Sequence, residues 1–128
     1  MRIRIKRPFR INPEEAAQCA VFDWLRLYKM FDTAYHVANE RRCSIQRGAL
    51  LKRMGVLKGV SDICIPVPTN GYNGVYIELK AGKNKATKEQ IAFIEKVKSN
   101  GYFATWVTGA DEAIAIIAEL YDIDYLAC

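Results

Sequence analysis

Apolar and polar residues alternate along the chain with two distinct periods, and the switches between them mark the elements. From Pro13 to about Phe31, Ala17, Val21, Trp24, Tyr28 and Phe31 recur at helical spacing, with Asn12 at the cap position and Pro13 at the first helical position. Thr33 to Val37 is β-branched and aromatic and predicts a short strand. Ser44 to Met54 predicts a helix stopped by Gly55. From Val60 to Lys80 two apolar segments flank a Gly/Asn-rich turn, which predicts an antiparallel hairpin centred on Asn70-Gly71. A helix from Thr87 to Ser99, a strand from Tyr102 to Thr108 and a helix from about Ala110 to Tyr121 complete the series. The order α-β-α-β-β-α-β-α predicts an α/β fold, a small mixed central sheet flanked by helices.

The pattern is broken inside the hairpin. Asp62 stands in its first strand and Glu78 and Lys80 in its second, where Val or Ile would be expected. Strand side chains alternate faces, so Glu78 and Lys80 share one face and Ile77 and Leu79 the other. With pairing about Asn70-Gly71, opposed positions sum to about 141, which puts Asp62 across from Glu78 or Lys80. Two carboxylates this close repel unless a cation or proton lies between them. They suit a hard divalent ion bound through oxygen, such as Mg²⁺. A lysine two residues from the glutamate suits orienting a water and stabilising charge at phosphorus, which points to phosphodiester hydrolysis. A Glu-x-Lys alone also describes an exposed, ion-paired strand face. Gln90 adds a second irregularity, because it lies one turn before Ile94 and two before Val97 on an apolar stripe, and a buried amide must find partners.

Charge sharpens the picture once it is divided along the chain. The net charge of +5 over 128 residues conceals 13 Lys and Arg against 5 Asp and Glu in residues 1–60, and 6 against 9 in residues 61–128. A basic half suits a polyanion, and Arg41, Arg42, Arg47, Lys52, Arg53 and Lys58 precede the aspartate strand where phosphates would pass. Lys83 and Lys85, with Lys88, leave the Glu-x-Lys strand in a polar loop suited to clamping a strand. Four scattered cysteines without a CxxC pair, and a single histidine, His36, signal neither a zinc cluster nor a disulfide framework. No apolar run reaches membrane-spanning length and the basic start lacks a following apolar segment, so a cytoplasmic protein without a membrane partner is expected. The expected organisation is a basic arm over residues 1–12, with Ile3 and Ile5 alternating among Arg2, Arg4 and Lys6, and one domain over residues 13–128.

Asp62, then fifteen residues, then Glu78-Leu79-Lys80 resembles the D…(D/E)xK core of the PD-(D/E)XK nuclease superfamily, and more narrowly its VRR-NUC branch. The likeness extends over about residues 13–121. It includes Glu14 four residues before Gln18 in the first helix, Asn39-Glu40-Arg41-Arg42, the Gly-punctuated basic approach from Lys52 to Gly59, and Gln90. Ser61 stands where many relatives have proline, and Pro13 replaces a small polar residue. The resemblance implies a PD-(D/E)XK restriction-endonuclease-like core and a nuclease in which Glu14, Asp62, Glu78 and the Leu79 carbonyl hold Mg²⁺ or Mn²⁺, Lys80 positions the attacking water and Gln90 supports it. Glu14 is preferred to Glu15 because Gln18 falls one turn on, facing the same way. It further implies branched DNA as substrate, a phage-type Holliday-junction resolvase acting as a homodimer, and no organic cofactor. A non-catalytic or sequence-specific, restriction-type DNA-binding protein on the same fold is the alternative.

Overall fold

A computed structural model describes residues 9–38 and 43–124. The first helix, α1, spans Pro13–Leu25. Asn12 Oδ1 accepts from the Glu15 amide at 2.8 Å and Glu15 Oε1 accepts from the Asn12 amide at 2.9 Å, a reciprocal capping box. The helix ends six residues earlier than its periodicity predicts, and a 3-10 turn at Lys29–Phe31 follows. The break lets Trp24, Tyr28 and Phe31 fold back on one another, with ring centroids 5.1 to 6.1 Å apart, and carries Phe31 into the core.

The short strand β1, Tyr35–His36, leads to helix α2, Ile45–Arg53, capped by Ser44 Oγ. This helix buries none of its residues. Strand β2 is only Ile63–Ile65 and β3 is Val75–Lys80. The first arm of the hairpin is shorter than the apolar pattern predicts because Pro66 and Pro68, which lack an amide donor, interrupt the ladder. Its turn is as expected: Asn70 at φ 47° and Gly71 at φ 80° form a two-residue reversal between Thr69 and Tyr72, whose backbones bond reciprocally.

Helix α3, Lys88–Ser99, crosses back to β4, Phe103–Thr108, and α4, Ala110–Leu120, closes the chain. The sheet order is β1-β2-β3-β4, antiparallel except for the β3–β4 pair, which the α3 crossover makes parallel. One face of the sheet carries Ile63, Ile65, Val75, Ile77 and Leu79, all fully buried against α1 and α4 residues such as Val21, Leu25 and Ile117. The other packs Tyr76 and Ala104 against Ile94 and Val97 of α3. Being covered on both faces, β3 has no room for a solvated charge, which makes its last residues the informative ones.

Candidate active site

The register pairs Ile63 with Ile77, Cys64 with Tyr76 and Ile65 with Val75, so opposed positions sum to 140 and Asp62, immediately before β2, stands beside Glu78. The Asp62 amide donates to Glu78 Oε2 at 3.1 Å, and the Leu79 amide donates to Asp62 Oδ2 at 2.9 Å. Lys80 Nζ lies 3.3 Å from Glu78 Oε1. All three charged side chains are buried, Glu78 at 2 % exposure and Asp62 and Lys80 at 9 % each. The opening irregularity of the sequence is thus one contiguous cluster at the carboxyl end of the central strand.

Two further elements brace it. Gln90 Nε2 donates to Glu78 Oε1 at 2.7 Å, while Gln90 Oε1 accepts from the Thr87 amide at 2.8 Å. The partner of the buried amide is therefore Glu78, with Lys80 bonded to the same oxygen from the other side. His36 Nδ1 donates to the Asp62 carbonyl at 2.8 Å, which the Val37 amide also reaches at 3.0 Å. His36 is not among the site residues that the sequence singles out. The signal that would have found it is its position: the only imidazole in a strand that must lie beside the aspartate strand.

Burial, and after it the negative charge of Asp62, raise the Glu78 carboxyl to about 7 against a smaller opposing pull from Lys80. A carboxylate pair held apart from water at this energetic cost fits a cation. The donors are all hard oxygens: Glu78, Asp62 and the Leu79 carbonyl, which points to the same strand edge as the Leu79 amide that bonds Asp62. Among the described residues no group of three or more His, Cys, Asp or Glu stands close enough to hold an ion. The set therefore suits an ion that keeps several waters, as Mg²⁺ does, rather than one in a closed protein cage.

Glu14 of α1 shares a cavity with Asp62 alone of the cluster. It lines a cavity of about 250 Å³ together with Asn12, Glu15, Gln18, His36 and Asp62. The Glu15 carboxylate is engaged by the cap, whereas Glu14 has no part in that box. The expected basic surface is placed in part: Arg47, Lys52, Arg53, Lys58, Lys83 and Lys85 are exposed, and Lys58 Nζ lies 3.6 Å from Glu89 Oε1 beside the start of α3. Arg41 and Arg42 lie outside the described residues. Cys19 and Cys43 are exposed thiols and Cys64 a buried one, all unpaired.

The family model described as VRR-NUC domain matches residues 4–111. Among solved structures, a chain named VRR_NUC domain protein is 30 % identical, with a TM-score of 0.74 over 91 % of this chain and 96 % of that one. Comparison with curated proteins finds no match. No helix among the described residues is long and apolar enough to cross a membrane. This chain belongs to the VRR-NUC family and carries a nuclease domain of the PD-(D/E)XK type.

Proposed function

We propose that the protein is a divalent-metal-dependent, structure-specific DNA endonuclease, acting as a homodimer on four-way junctions. The observation that carries the hydrolytic part is the contact set around Glu78: Asp62, Lys80 and Gln90 all bond its buried carboxylate.

In this reading Asp62, Glu78 and the Leu79 carbonyl hold Mg²⁺ or Mn²⁺, with Glu14 approaching across the cleft. When bound, the ion supplies Lewis-acid stabilisation of charge on the phosphate oxygens and lowers the pKa of water. Gln90 and Lys80 fix the Glu78 carboxylate in one rotamer. Lys80 carries a positive charge at the mouth of the pair, where it orients the attacking water and offsets negative charge developing at phosphorus. His36 holds the Asp62 backbone, so the two acids keep their spacing. The water adds across the P–O bond, leaving one phosphate end and one hydroxyl end.

Arg47, Lys52, Arg53, Lys58, Lys83 and Lys85, with Arg41 and Arg42, supply the phosphate contacts that position DNA without reading its sequence. The same reading divides the chain into an arm over residues 1–12 and a catalytic unit over 13–128. One short chain offers one site, so paired cuts across a junction call for two copies related by a two-fold axis.

A panel of four-way, flap, splayed-arm and linear DNAs, digested with Mg²⁺ or with chelator by wild type and Asp62→Asn, tests the reading. Paired cuts near the branch, absent in chelator and in the variant, support it. Cutting of linear duplex at one short sequence would replace it with a restriction-type enzyme, and binding without cutting in any divalent metal would replace it with a non-catalytic binder.

A further inference from the structure

Residues Glu14, Gln18, Phe22 and Arg26 follow one another at four-residue intervals, the spacing of a ridge along a helix. The ridge begins in the cleft that holds Asp62 and continues into a second cavity of about 530 Å³, between α1 and the segment running from Phe31 to His36. Gln18, Cys19 and His36 line both spaces, so the two adjoin. Over twelve residues the ridge rises about 18 Å, the length of about five nucleotides stacked at the duplex rise of about 3.4 Å.

The chemistry along the ridge is that of a nucleotide site. Gln18 Nε2 is buried with no hydrogen-bond partner, a donor that requires an acceptor. Phe22 is half-buried, and the Arg26 guanidinium lies 5.7 Å from its ring centroid, which leaves a combined aromatic and cationic surface on which a base can stack. Asp23 and Asp32 also line the cavity, and Asp23 lies 3.5 Å from Arg26. Their charge repels phosphate from that wall and accepts from base amino groups, so the base edge faces inward and the sugar-phosphate faces solvent and Arg26. A duplex is too wide for such a space.

We infer that the groove along α1 receives unpaired nucleotides leaving the phosphate to be cut, with Gln18 donating to the strand and Phe22 stacking on a base. This rests on the proposed site at Asp62 and Glu78, and it gives cutting beside an unpaired strand a physical basis: a flap or splayed arm offers that strand directly, and a four-way junction offers it when the pairs at its branch point open.

The test places 2-aminopurine, whose emission reports stacking, at the first unpaired nucleotides of a flap and of a splayed-arm DNA, and measures emission and affinity in chelator. Wild type is expected to change the emission on binding. Phe22→Leu, which keeps apolar volume, and Gln18→Leu, which keeps shape without the donor, are expected to abolish most of that change and weaken binding about tenfold, the loss of one stacked base, with linear duplex affected less than twofold. Arg26→Ala serves as a third variant should Phe22→Leu melt early. An unchanged emission in wild type, or an equal loss on linear duplex, would overturn the inference. A changed oligomeric state in Phe22→Leu with the emission intact would assign the groove to a protein partner instead. Because the readout requires no cutting, failure of the nuclease reading would leave this result standing by itself.

Discussion

Gln90 donates to Glu78 Oε1 at 2.7 Å with the same amide whose oxygen closes the cap of α3 on the Thr87 amide at 2.8 Å. A single side chain thus starts a helix and braces the buried carboxylate. Gln90→Glu separates the two tasks, since glutamate preserves the capping box but places a third carboxylate beside Glu78 and Asp62. The variant is expected to keep native helicity by circular dichroism and to lose at least about tenfold in cleavage rate. Gln90→Ala loses both interactions and should also melt lower, by about 1 kcal/mol of cap stability.

The Glu78 carboxyl is held at about 7 against an ordinary value of 4.5. A carboxyl raised on folding favours the folded state fully below 4.5, and that contribution is lost as pH rises through 7. The metal-free protein should therefore lose stability across this window, by at most about 3 kcal/mol. Denaturant titrations in chelator at pH 4.5 and pH 7.5 measure it. Glu78→Gln should flatten the slope, and added Mg²⁺ should restore more stability at pH 7.5 than at pH 4.5.

His36 Nδ1 and the Val37 amide both donate to the Asp62 carbonyl. Removing the ring leaves one of the two bonds, so the strand stays paired while Asp62 loosens. His36→Ala should lower kcat about threefold to tenfold and leave DNA affinity in chelator unchanged. A fall in affinity without a fall in kcat would place His36 in binding instead.

Gly59 is held at φ 90°, and a Cβ there would meet the Glu89 carbonyl oxygen at 2.5 Å. Gly59→Ala combines left-handed strain with a backbone clash at the start of α3, and should destabilise by about 1–3 kcal/mol. The shift of the α3 start would also move Gln90, so activity should fall further than stability alone explains. Thermal melts and initial rates on the same preparation check both.

What the sequence disclosed follows from local chemistry. The Asn70-Gly71 turn fixes the hairpin register, and the register fixes Asp62 beside Glu78, so the centre of the site was legible from spacing alone. The caps at Asn12, Ser44 and Thr87 fixed the helix starts in the same way. Long-range packing was not legible. Nothing local ends α1 at Leu25; the aromatic cluster with Phe31 and the edge contact of Phe31 with Tyr121 at 5.0 Å do so. The role of His36 depends on β1 lying beside β2, and the partner of Gln90 depends on how α3 sits over β3, neither of which a periodicity encodes.

The central claim is that Asp62, Glu78 and Lys80 form one hydrolytic unit, and single-turnover cleavage of a labelled four-way junction in Mg²⁺ tests it most directly. Asp62→Asn, Glu78→Gln and Lys80→Ala should each fall at least about a hundredfold below wild type, with native circular dichroism retained. Any one of them cutting within twofold of the wild-type rate would contradict it.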